Sequence, residues 1–139
     1  MKERKVDLWD APAVIVITTN GTVKINGEAV MGRGCAAEAK ELFPKLPKLL
    51  GQKIKSEGNH VHLLRYSIVS FPVKHAWWEK ADLLLIQRSA RELVQKANAY
   101  GWRDIWIVRP GCGNGGLQWE HVKPVIKSIL DDRFTVVHK

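Results

Sequence analysis

The chain of 139 residues is 45% hydrophobic and 26% charged, the composition of one ordinary globular domain; disorder, a collagen-like repeat and a coiled-coil rod are excluded as whole-chain readings. No run approaches the roughly 18 apolar residues of a membrane helix, and two cysteines, Cys35 and Cys112, are too few for a disulfide scaffold. Twenty-two Lys and Arg against 14 Asp and Glu give a net charge of +8, which favours anionic partners such as nucleotides, phosphates or nucleic acid without choosing among them.

The basic opening, residues 1–12, has no apolar segment behind it, so no secretion signal is predicted and cytoplasmic residence is expected. Residues 13–19 are continuous, apolar and β-branched, the pattern of a strand buried on both faces. Asn20 and Gly21 turn the chain. Residues 22–30 are short and polar, with a second Asn-Gly pair at Asn26 and Gly27, and predict an excursion or small hairpin. Residues 31–37 pass from a glycine loop into a helix running to about Phe43, where Pro44 and Pro47 stop it.

Residues 60–73 hold one or two strands, ended by Pro72. Residues 79–100 form the clearest helix, with Leu83, Ile86, Ala90, Leu93 or Val94, and Ala97 on one face and Gly101 as C-cap. Residues 104–108 are another buried strand, opening into a glycine-rich run. Leu117, Val122, Val125, Ile126 and Ile129 then share a helix face, and residues 134–137 are the last strand. This alternation predicts an α/β fold, a three-layer α/β/α sandwich around a mixed, largely parallel sheet, with residues 1–139 as a single domain.

The strongest local signal is Gly111-Cys112-Gly113-Asn114-Gly115-Gly116, directly after a strand and before a helix. Each glycine gives up roughly 1 kcal/mol of helix or strand preference. In return, a loop without Cβ obstruction can turn its N–H groups toward one phosphate, at the strand end where open α/β sheets bind ligands. A tight connection with no ligand is the plainer alternative. No Walker lysine follows, and the match to a dinucleotide fingerprint is weak because the chain has no room for a second half. Gly32-Arg33-Gly34-Cys35-Ala36-Ala37 also opens a helix, and Arg33 can add a bidentate phosphate contact. Two such loops suggest a diphosphate held between them.

A third cluster, Phe71-Pro72-Val73-Lys74-His75-Ala76-Trp77-Trp78, also follows a strand. A lysine among apolar groups can become a nucleophile, and His75 can act as its neighbour or as a general base. The adjacent tryptophans offer a stacking wall for a ring or a base; equally, they cap the core while Lys74 snorkels. His60 and His62 share a strand face without a third ligand, so no metal site is predicted.

Taken together, these segments resemble a macro domain, the ADP-ribose-binding α/β/α fold, over nearly the whole chain. The branch most similar holds ADP-ribose-1''-phosphate processing proteins, terminal ADP-ribose glycohydrolases and antitoxins that remove ADP-ribose from DNA. The resemblance rests on residues 111–119 (GCGNGGLQW), on Phe71-Pro72-Val73-Lys74 with a tryptophan soon after, and on Met31-Gly32-Arg33-Gly34-Cys35-Ala36. It implies that Asp7 receives the adenine amine and Leu8 offers its backbone. Asn20, Gly34, Cys35 and Ala36 would border the distal ribose, and residues 111–116 would wrap the diphosphate with Trp119 anchoring them from behind. Lys74 falls on the lysine that the resembling hydrolases need for cleavage at C1''. The chain departs from the glycohydrolase pattern in carrying Gly115 where that branch has an aspartate, as the DNA-directed antitoxins do. It also reads Thr18-Thr19-Asn20 in place of the VNAAN of better-known macro domains.

Three functions remain open at this point. The first is hydrolysis at C1'' of an ADP-ribosyl substrate, with phosphate, a protein side chain or a nucleobase leaving. The second is binding of ADP-ribose without catalysis, and the third is direct nucleic-acid binding through the basic surface. The expected partner is ADP-ribose or an ADP-ribosylated macromolecule, with DNA contact through the +8 surface, no membrane, no cofactor and a monomeric state.

Overall fold

A computed structural model describes all 139 residues. Six strands form one sheet in the order β1-β6-β5-β2-β4-β3: β1 (Lys2–Lys5), β2 (Val14–Asn20), β3 (His62–Arg65), β4 (Ile68–Lys74), β5 (Ile105–Val108) and β6 (Phe134–His138). Every neighbouring pair is parallel except β3 and β4, an antiparallel hairpin at one edge. Four helices cover the faces: α1 (Gly34–Leu42), α2 (Leu46–Glu57), α3 (Leu83–Tyr100) and α4 (Trp119–Lys127).

Alternation along the strands divides the core in two. Val14 and Val16 of β2, Ile105 and Ile107 of β5, and Phe134 and Val136 of β6 pack with Ile86, Ala90 and Leu93 of α3 and Val122 and Ile126 of α4. Ile17, Trp106 and Val137 join the second cluster, with Cys35, Ala36 and Ala39 of α1 and Leu46 and Leu50 of α2. The chain is therefore the three-layer α/β/α sandwich expected, around a mixed and mostly parallel sheet. All five parallel strands end at the same sheet edge, and the loops after β2, β4 and β5 meet there.

Two elements gave no signal in the sequence pattern. β1 reads Lys-Glu-Arg-Lys, all exposed, and is a strand only because it pairs with β6 at the sheet edge. Such charge discourages further pairing at that edge. α2 starts where Pro47 was expected to stop a helix. Proline lacks only an N–H that a first turn leaves unpaired, and here it stands within that turn.

Pro72 does not end its strand either: β4 continues to Lys74. Pro72 lies opposite Thr19, and the register then slips so that Asn20 faces Lys74, an irregularity that accommodates a residue without a backbone donor. The long helix begins at Leu83 rather than residue 79, capped by Asp82, whose side chain accepts from the Leu84 N–H. Leu117 precedes α4 and forms a lone parallel bridge with Cys112. The excursion after β2 is a small hairpin bridged at Val23 and Ala29.

That hairpin is sewn to α2. The Ala29 N–H donates to the Pro47 carbonyl at 2.8 Å, and a Cβ on Gly51 would lie 1.9 Å from the Gly27 carbonyl oxygen. Gly51→Ala is expected to destabilise the fold by about 1–3 kcal/mol, the range for overpacking a filled interior. Urea denaturation measures this, and wild-type stability would show that hairpin and helix do not pack this closely.

Candidate functional site

The loops at the shared sheet edge enclose a cavity of about 760 Å³. Its walls come from the end of β2 (Thr18, Thr19, Asn20), the hairpin, residues 30–36, the end of β4 with Trp77, and residues 111–115. The ionic side chains on it are Lys24, Arg33, Lys74 and the single carboxylate of Glu38, so the cavity is basic.

α1 begins on this wall. The first N–H groups of a helix have no acceptor within it. Here the capping position is Arg33, which makes no side-chain cap bond. The N–H groups of Gly34, Cys35 and Ala36 therefore stand at the positive end of the helix dipole, on the cavity lining. Arg33 itself is exposed at the rim.

The glycine run forms the facing wall. Gly111 has φ +75°, and a Cβ there would lie 2.6 Å from Ile86 Cδ1, so the run leaves β5 tight against the core. Gly113 has φ +71°, yet a Cβ there would meet nothing within 4 Å; the middle of the loop borders open space. Behind the loop, the Ala81 N–H donates to the Gly115 carbonyl at 2.9 Å. Gly116 and Trp119 lie outside the lining. Trp119 donates through Nε1 to Glu3 at 3.3 Å and lies under the Arg109 guanidinium, 5.2 Å from it, which ties the loop's exit to β1. Lys123, 2.6 Å from Glu3, is the first cause holding that carboxyl below its usual range.

Lys74 Nζ donates across the cavity to the Asn114 carbonyl at 3.4 Å, a long bond joining β4 to the glycine run. The Lys74 carbonyl accepts from Asn59 Nδ2 at 3.1 Å, and the Asn59 carbonyl in turn accepts from the Arg88 guanidinium. Sequence reasoning missed Asn59, because it acts on the backbone of a residue 15 positions away and belongs to no motif.

Asn20 lines the cavity, but its amide also clamps the hairpin: Nδ2 donates to the Val30 carbonyl at 3.0 Å, and Oδ1 accepts from the Thr22 N–H at 2.9 Å. Cys35 accepts from the Thr18 N–H at 3.4 Å. Burial pushes the thiols of Cys35 and Cys112 above their ordinary range, the direction opposite to thiolate activation.

The structure does not bring the remaining expected residues to the cavity. His75 turns outward and pairs with Asp82, Nε2 to Oδ2 at 2.8 Å, so the general-base role given to it in the sequence has no geometry here. Leu8 is buried in the core, and Asp7 caps a short 3-10 turn by accepting from the Trp9 N–H at 2.9 Å. Asp7 connects to the cavity only through Lys139, which lies 4.0 Å from it and 3.8 Å from Glu38. His60 and His62 lie on a separate depression, where His60 pairs with Glu92 at 2.8 Å, and no group of side chains suited to a metal ion is present.

The chain has the macrodomain fold. It superposes on the macrodomain of Mycobacterium tuberculosis DarG with a TM-score of 0.80 at 24% identity, covering 99% of this chain and 97% of that one. On the macrodomain of Thermus aquaticus DarG the TM-score is 0.79 at 21% identity, with the same coverage. In sequence it is 27% identical to a DNA ADP-ribosyl glycohydrolase of Thermus aquaticus over 90% of this chain and 36% of that protein. It is also 27% identical to the human ADP-ribose glycohydrolase OARD1, over 77% of this chain and 71% of that protein. The chain spans about a third of the length of the first curated relatives it matches. No protein-family model matches it. No helix is long and apolar enough to cross a membrane.

The His75–Asp82 pair braces the segment between Lys74 and α3. The hydrogen bond from His75 is the first cause holding the Asp82 carboxyl below its usual range. A depressed carboxyl stabilises the fold above its unfolded-state pKa, and that contribution is lost as pH falls through the folded-state value. Asp82→Asn keeps a capping side chain but removes the charge. It is expected to be less stable at neutral pH by at most about 1 kcal/mol, the range for an exposed pair. Urea denaturation is expected to show the gap closing once pH drops below the carboxylate range; a gap constant with pH would show that the charge is not involved.

Proposed function

We propose that this chain is a hydrolase that holds ADP-ribose in the cavity and cleaves the bond at C1'', with DNA as the attached macromolecule. The observation that carries the reading is Lys74, whose ammonium lies on the cavity wall 3.4 Å from the carbonyl of Asn114 in the glycine run. A diphosphate seated between the α1 N-terminus and residues 111–115 would leave one ribose near that nitrogen. The cleavage breaks the bond from C1'' to the leaving group; water supplies hydroxyl to C1'' and a proton to the group that departs. As the neutral amine, Lys74 would attack C1'' as the bond to the leaving group breaks, and water would then cleave the C1''–N bond and return the amine; as the ammonium it would instead stabilise negative charge on the departing group while water attacks C1'' directly. Of the two lysines on the wall, Lys24 and Lys74, it is Lys74 that bonds to the glycine run, while His75 faces outward.

DNA is favoured over protein or a bare phosphate as the leaving group by three features. They are the net charge of +8, the glycine at position 115, and the resemblance to proteins described as DNA ADP-ribosyl glycohydrolases. A module that binds ADP-ribose without cleaving it would use the same cavity, and Lys74 separates the two. Lys74→Ala is expected to slow single-turnover release of ADP-ribose from modified single-stranded DNA by at least about 100-fold. ADP-ribose affinity by calorimetry is expected to change far less, because a group used in the transition state affects rate more than ground-state binding. Undiminished release would remove Lys74 from the reaction. Tight ADP-ribose binding by the unaltered chain, with no release from modified DNA, protein or ADP-ribose-1''-phosphate, would establish the binding module instead.

A further inference from the structure

One indole ring lines the cavity and a second, outside the lining, packs edge-on against it. Trp77 lines the cavity beside Lys24 and Lys74 and is 50% exposed; Trp78 is 68% exposed. The rings meet edge to face, with centroids 5.9 Å apart and planes at 87°, so they form an open corner rather than a closed stack. The segment that carries them is held in place. The Trp77 N–H donates to Thr22 Oγ1 at 3.0 Å, the Asp82 N–H closes back on the Val73 carbonyl at 2.9 Å, and His75 pairs with Asp82. Neither indole serves the core, and a fixed pair of wet aromatic rings is an unfavourable arrangement for water alone.

We propose that this corner seats an unpaired base of single-stranded DNA, next to the C1'' end of the cavity. Indole faces stack on any base whose own face is free, whereas duplex bases are covered by their neighbours. The surroundings suit the strand: Lys24, Arg33 and Lys74 line the cavity against Glu38, and on the segment that carries the rings Lys80 follows Glu79. Those cationic groups match a phosphodiester chain. The proposal rests on the preceding reading only for the position of C1''; binding of unmodified DNA requires no hydrolysis.

Fluorescence anisotropy of a fluorescein-labelled oligothymidylate at low salt, with the full chain, tests it. Trp78→Ala is expected to weaken binding at least about five-fold, the low end for one base on one aromatic ring. Trp78→Phe is expected to retain most of the affinity. Tyr100→Ala is the control: its ring is 55% exposed but ends α3, about 25 Å of helix away, and affinity is expected to stay at wild type. A duplex of the same sequence is expected to compete poorly. Wild-type affinity in both Trp77→Ala and Trp78→Ala, or duplex competition equal to that of the single strand, would overturn the proposal and leave the hydrolase reading intact. Tryptophan-dependent binding in a protein that releases no ADP-ribose would sustain the proposal and sink that reading.

Discussion

The cavity depends on how closely the glycine run enters the core at Gly111. A Cβ there would overlap Ile86 and crowd Ala81 and Leu117, each 3.1 Å away, in a backbone conformation with φ +75° that side chains avoid. The Leu117 N–H returns to the Gly111 carbonyl at 3.0 Å, so the run leaves and rejoins the core at one point. With both ends held at the core, the middle residues project into the cavity at the ends of the parallel strands. Lys74 and the start of α1 complete the cavity from the other side.

Placement at the strand ends then supplies the chemistry. Parallel strands send their loops to one edge, and α1, following β2 through the hairpin, presents its positive end there. Three cationic side chains against Glu38 strengthen the same field. A helix N-terminus, a glycine run and three cations facing one cavity suit an extended anion, the ligand class on which the proposed function rests.

The legible parts of the fold were those whose burial wrote a continuous pattern. β2 and β5 are apolar on both faces because helices cover the sheet on both sides, and α3 keeps a helical stripe through 18 residues. β1 has no apolar residue because pairing at an edge, not burial, makes it a strand, and α2 hid behind a proline that starts it. The glycine run and Lys74 stand out in the sequence because the first follows a strand and the second closes one. His75 faces away from the cavity for a simple reason. Neighbours at a strand end point to opposite sides, so a residue beside Lys74 in sequence faces away from it in space. Asp7 and Leu8 were assigned by resemblance alone, and neither reaches the cavity wall.

The claim on which all else rests is that the two facing walls hold one diphosphate between them. Calorimetry of the unaltered chain with ADP-ribose, AMP and ribose 5-phosphate tests it most directly. One ADP-ribose per chain is predicted, with each fragment weaker by at least about ten-fold, the equivalent of one lost charge-assisted contact. AMP binding within about a factor of two of ADP-ribose would contradict the account, because a ligand ending at one phosphate would then use everything the cavity offers.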